Sequence, residues 1–172
     1  MPIGAEPRGD STEFRVWAPR SRTVDVIDTH DRPTALKPEG DGYFSATAPI
    51  GVGGRYRYRL DAATVYPDPA SRRQPEGPHG PSEVVDPDAF RWSDGSWPGL
   101  SRTGQVIYEM HVGTFTREGT WEAASRELPE LARLGVTVVE MMPVAEFPGR
   151  FGWGYDGVAL FAPTRLLSLI HI

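Results

Sequence analysis

The sequence predicts a multidomain chain, an all-β sandwich followed by the first β-α-β of an α/β unit. Three observations carry this. Residues 55–61 alternate strictly, with Tyr56, Tyr58 and Leu60 on one face and Arg55, Arg57, Arg59 and Asp61 on the other. A period of two marks a half-buried strand. Residues 66–81 carry five prolines, a sharp break in character. Beyond Gly104, two apolar runs flank a segment whose apolar residues repeat at spacings of three and four, the pattern of strand, helix, strand.

Taken in order, residues 14–18 and 24–27 are further strand candidates, and Asp41-Gly42 and Gly53-Gly54 supply turns around residues 43–48. Several short strands at close spacing fit a small sandwich, assigned to residues 1–86. Pro67, Pro69, Pro75, Pro78 and Pro81 exclude a helix or central strand, because each removes a donor and fixes φ. An extended connector follows, its last part spanning residues 87–103. Phe90, Trp92 and Trp97 are expected to pin it down by packing.

Residues 104–165 form the second unit. Residues 106–112 read as its first strand. Thr120 is placed to N-cap a helix carrying Trp121, Ala124, Leu128, Leu131 and Leu134 on one face, and Gly135 to end it. Pro129 should kink that helix or split off its first turn. Residues 136–142, nearly all apolar, predict a strand buried on both faces.

Composition excludes several function classes. With 18 basic and 23 acidic residues and a formal net charge of −5, there is no basic footprint for nucleic acid. No apolar run approaches the ~20 residues that span a bilayer, and the N-terminus lacks signal-peptide features. The absence of cysteine removes disulfides and thiolate chemistry. A cytoplasmic location is expected. So are no cofactor, no metal site, and neither nucleic acid nor membrane as partner.

Gly152, Gly154 and Gly157 match a dinucleotide fingerprint in spacing. However, nine residues separate them from the preceding strand, and residues 158–163 do not start a helix, as that motif requires. Glu109 and Glu140 resemble a glycosidase carboxylate pair, but both fall inside their strands. Catalytic groups of parallel barrels project from the C-terminal strand ends. Ion pairing or hydrogen bonding in the interior is the expected role of these glutamates. His111 ends the first strand and reads as a structural histidine, His79 as a surface loop residue. Phe151, Trp153 and Tyr155 alternate with small residues beside Asp156. Flat rings with a nearby carboxylate suit a sugar cleft; packing of the loop is the alternative, most evenly balanced for Trp153.

The string Tyr-Glu-Met-His-Val-Gly-Thr-Phe-Thr at 108–116, with residues 134–137, 142–148 and 153–157, resembles glycoside hydrolase family 13. Residues 67–72 and 79–87 are similar to the connector of that family's trehalose-releasing members. Residues 14–19 resemble the opening of the immunoglobulin-like domain of glycogen branching and debranching enzymes.

The resemblance implies an immunoglobulin-like sandwich of the carbohydrate-binding-module kind, followed by the start of an α-amylase-type (β/α)8 TIM barrel that is truncated. It implies retaining hydrolysis of the α-1,4 bond beside a terminal trehalose unit, with a malto-oligosaccharide as substrate. The family's Asp nucleophile and Glu acid/base lie on later strands, so no catalytic residue is assigned here and the chain alone is expected to be inactive. Tyr155 matches the tyrosine that stacks on the sugar, with Asp156 as companion and Trp153 as a further substrate-binding candidate. A branching-enzyme fragment or a non-catalytic carbohydrate-binding module is the alternative. The family pattern breaks near Leu166, and residues 166–172 are expected to be a non-native tail.

Overall fold

The computed structural model describes residues 2–151 and 156–167, in two compact units. The first comprises residues 2–87 with Ala145–Pro163, the second residues 88–144 with 164–167.

The first unit contains β1 (Gly4–Arg8), β2 (Ser11–Trp17), β3 (Val24–Asp28), β4 (Pro33–Ala35), β5 (Lys37–Gly40), β6 (Tyr43–Ala48), β7 (Arg55–Leu60), β8 (Thr64–Tyr66) and β9 (Ser82–Glu83). They form two antiparallel sheets, ordered β1-β2-β6-β5 and β4-β3-β7-β8, with β9 paired to β7. Pro7, Pro33 and Pro38 lie on edge strands β1, β4 and β5. There a missing donor costs least and discourages a further strand from pairing. β1 lacks alternating large apolar residues, which is why the periodicity overlooks it; its register on β2 makes it a strand.

Phe14, Val24, Val26, Tyr56, Tyr58 and Val84 are buried between the sheets. The Phe14 and Tyr56 rings meet edge to face at 4.7 Å, a favourable quadrupolar arrangement. On the opposite face of β7, Arg59 pairs with its cross-strand neighbour Asp25 at 2.7 Å.

The proline-rich segment after β8 is laid into this unit. Asp68, Ser71 and Gln74 are buried. Tyr56 donates to Asp68 at 2.7 Å, the Asp68 amide donates to the Ser82 hydroxyl at 2.9 Å, and the Ala70 amide to Asp68 at 2.7 Å. The two amide bonds supply partners that a ladder would otherwise provide. The expected aromatic anchors differ. Phe90, Trp92 and Trp97 are 57, 76 and 60% exposed. Residues 88–104 hold little regular structure beyond one 3₁₀ turn, Pro87–Ala89, and the Phe90 and Trp92 rings pack on each other at 4.9 Å.

In the second unit, β10 (Ile107–Met110) runs parallel to β11 (Val138–Met141). The first strand is shorter than expected, because His111 opens the single turn α1 (Val112–Phe115). α2 (Trp121–Arg133) runs unbroken across Pro129, so the expected split does not occur. The Thr120 side chain accepts from the Ala123 amide. At the other end the Val136 amide bonds Leu131 O and the Gly135 amide bonds Ala132 O, a Schellman closure with Gly135 at φ +92°. Ala124 and Leu131 are buried, whereas Leu134, past the last turn, is exposed.

β11 is not buried on both faces: Val138 and Val139 are half-buried, Glu140 and Met141 exposed. Met110, Val112, Ala124 and Leu167 form the core of this unit, and a two-stranded sheet with one long helix has cover for one face only. Finally β12 (Ala145–Glu146) and β13 (Ala159–Pro163) pair antiparallel within the first unit.

Candidate functional site

Among the residues singled out for sugar contact, Asp156 is exposed. Trp153 and Tyr155 lie outside the described residues, as do Gly152 and Gly154 of the fingerprint. Phe151 is 84% exposed. Residues 159–163 form a strand, so no helix N-terminus follows the glycines to receive a pyrophosphate. Gly157 has its own structural reason, since a Cβ there would stand 2.7 Å from the Ala145 Cβ.

Glu109 and Glu140 face each other directly in the β10–β11 register. Both are exposed, which corrects the expected interior role: the two-stranded sheet leaves these positions at the surface. His111 occupies the N-cap position of α1 without a capping hydrogen bond from its side chain. No cluster of three or more metal-binding side chains occurs among the described residues. None of their helices is long and apolar enough to cross a membrane.

One concavity lies in the first unit, a cleft of about 850 Å3. Its rim is built by the end of β2. Trp17 is 58% exposed, and its indole Nε1 donates to Asp41 O at 3.1 Å. Gly42 permits this turn: a Cβ there would stand 2.6 Å from Pro19, and its φ is +82°. Tyr66, at the end of β8, is 49% exposed. Tyr58 comes from β7, and Asp68, Gln74 and the exposed His79 from the proline-rich segment.

Burial dominates the electrostatics here. It pushes the Tyr58 and Tyr56 phenols well above their ordinary range, with the Asp68 charge acting in the same direction. Burial also raises the Asp68 carboxyl, opposed by the hydrogen bonds from Tyr56 and the Ala70 amide and by the Arg72 charge. Tyr58 Oη and Gln74 Oε1 are both buried without a hydrogen-bond partner among the described residues. Buried polar atoms seldom remain unpaired in native structures. The alternation of β7 points Tyr58 inward, but no sequence signal marks its hydroxyl as unpaired or brings Gln74 beside it.

An antiparallel sandwich bearing a cleft lined by Trp17, Tyr58 and Tyr66 has the concave, largely apolar surface common to small-ligand sites. Residues 2–87 match the family model of carbohydrate-binding module 48 (isoamylase N-terminal domain), and the chain belongs to that family. It is 45% identical over 163 residues to malto-oligosyltrehalose trehalohydrolase of Saccharolobus solfataricus, covering 94% of this chain and 29% of that protein. It is 36% identical over 179 residues to a 1,4-alpha-glucan branching enzyme of Ralstonia nicotianae, covering 88% and 23%. Among solved structures it resembles a Salmonella typhimurium protein described as an α-amylase, with TM-score 0.87, 45% identity, and coverage of 95% and 28%. The chain thus spans under a third of the length of each of these proteins.

Proposed function

We propose that these residues belong to a retaining glycosidase that cleaves the α-1,4 bond beside the terminal trehalose unit of maltooligosyltrehalose, releasing trehalose. The observation that carries this is the 45% identity to a trehalohydrolase across 94% of the chain. In this reading residues 1–86 are an immunoglobulin-like, glucan-facing module and 87–103 the connector. Residues 104–165 are the first β-α-β of a (β/α)8 barrel, with β10 and β11 as adjacent barrel strands. Trp153, Tyr155 and Asp156, beyond the C-terminal end of β11, contact the malto-oligosaccharide. A cytoplasmic location goes with this reading.

The reaction is proposed for the whole protein. Retention needs two carboxyl groups about 5–5.5 Å apart across the bond, one as nucleophile and one as acid and then base. Glu109 and Glu140 stand inside their strands rather than at the C-terminal ends where such barrels place catalytic groups. The 172 residues alone are therefore expected to release no trehalose.

The similarity to a branching enzyme supports a second reading, transfer of glucan chains to form α-1,6 branches. Incubating the whole protein with maltooligosyltrehalose and, separately, with amylose separates the two. Free trehalose from the first supports the proposal. New branches on amylose without trehalose release would replace it with the second reading.

A further inference from the structure

We propose that the hairpin β12–β13 positions the sugar contact assigned to Asp156, with the buried carboxylate of Glu146 as its fixed point and the sandwich unit as its support. The role of Asp156 rests on the reading given under Proposed function; the construction of the hairpin does not.

Two carboxylates are buried among the described residues, Asp68 and Glu146. Asp68 holds the proline-rich segment through Tyr56 and the Ala70 amide. Glu146 is 0% exposed, and no step of the proposed reaction uses it. Burying a carboxylate is costly unless hydrogen bonds or opposite charges compensate. A fully buried one on a strand of only two residues therefore marks a place where local order is kept against that cost. One of its oxygens accepts from the Phe147 amide at 3.1 Å, which fixes the direction of the chain as it leaves β12.

The returning chain is held by the same two residues. The Val158 amide donates to Glu146 O at 2.8 Å, and Gly157 lies so close to Ala145 that a Cβ there would stand 2.7 Å from the Ala145 Cβ. Asp156 adjoins these two anchored residues and stays exposed. The hairpin follows β11 in sequence yet belongs to the same compact unit as the sandwich. Ala159 and Ala162 are buried, and Val158 and Ala159 line the same cleft as Pro19, Pro78 and His79. Functional loops act with precision when a rigid scaffold places them. For Asp156 that scaffold is the sandwich unit, and Glu146 is a positioning residue.

The test is a double-mutant cycle on the whole protein, read as steady-state trehalose release from maltooligosyltrehalose. Glu146→Ala should lower kcat/KM roughly three- to thirtyfold, the scale of a small displacement at a reacting site. Glu146→Gln keeps an oxygen to accept from Phe147 and should recover most of that loss. Gly157→Ala, which forces residue 157 away from Ala145, should fall in the same range and decides the matter if Glu146→Ala does not fold. With Asp156→Ala already present, Glu146→Ala and Gly157→Ala should each change kcat/KM by less than about twofold, because a positioning effect vanishes with the group it positions. Amide exchange across residues 145–160 should quicken in both variants while that of β7 keeps its wild-type rate.

Equal losses with and without Asp156 overturn the proposal, since the hairpin then acts through general structure. Wild-type turnover in both Glu146→Ala and Gly157→Ala overturns it as well. Unchanged exchange across residues 145–160 removes the anchoring whatever the reaction. Wild-type turnover in Asp156→Ala removes the contact itself and the proposal with it, while trehalose release stands. Whole protein that branches amylose without releasing trehalose loses only the proposed reaction, and the same cycle is then read from branching.

Discussion

Tyr56 donates its phenolic hydrogen to the Asp68 carboxylate at 2.7 Å, inside the sandwich and across twelve residues of sequence. That bond ties β7 to the proline-rich segment, which cannot anchor itself through a full ladder. The same segment carries Gln74 to the cleft lined by Trp17, Tyr58 and Tyr66.

Tyr56→Phe should destabilise the first unit by about 1–3 kcal/mol, because the carboxylate loses a donor while remaining buried. Urea unfolding followed by far-UV circular dichroism measures this. An unchanged midpoint would mean the segment is held by its other contacts alone.

Asp68 also gives the sandwich a pH signature. Its carboxyl is raised from the ordinary 3.8, chiefly by burial, so the folded state holds this proton more tightly than the unfolded chain. The contribution to stability is therefore greatest below the ordinary carboxylate value and declines as pH rises through the folded pKa. Asp28 has the opposite sign: the Arg32 side-chain hydrogen bond leads the effects that lower it to about 2. Its contribution is present above the ordinary value and disappears as pH falls through about 2. Comparing wild type with Asp68→Asn across pH isolates the first effect. Relative to Asp68→Asn, wild type should lose stability as pH rises.

The closure of α2 depends on a residue without a Cβ. Gly135 sits at φ +92° with open space around it, so Gly135→Ala should cost about 1–2 kcal/mol from backbone strain alone. Thr120→Ala, at the other end, should cost about 1 kcal/mol through the lost N-cap bond. Thermal melts should show both losses adding within about 0.5 kcal/mol, since the termini share no partner.

In the whole protein, Tyr155→Ala should raise KM for maltooligosyltrehalose roughly two- to tenfold, the size expected for a lost ring contact of about 0.5–1.5 kcal/mol. Asp156→Ala should lower kcat/KM as well. Steady-state trehalose release reads both, and unchanged kinetics in each variant would remove this loop from the substrate site.

How much of this was legible in the sequence varies by element. The alternation in β7 gave its buried face, because a period of two survives in any sheet that buries one side. The caps of α2 were equally plain, since Thr120 and Gly135 satisfy local backbone requirements that neighbouring residues alone define. By contrast, the burial of Phe90, Trp92 and Trp97 was misread: a large aromatic residue records a capacity to pack, and nothing local states whether a partner surface is present. Of the two outcomes expected of Pro129, the split of α2 does not occur, because continuity of the helix depends on all its turns rather than on one missing donor.

The sequence by itself determined the local periods, the turns, the helix ends and the resemblance that directs attention to an α-glucan. Tertiary structure decided which atoms meet. Tyr58 and Gln74 are sixteen residues apart, and Asp68, between them, accepts from Tyr56. Their common cleft arises only when the proline-rich segment returns the chain to β7. Hydrogen-bond satisfaction is a property of the folded arrangement in space, and no pattern along one dimension encodes it.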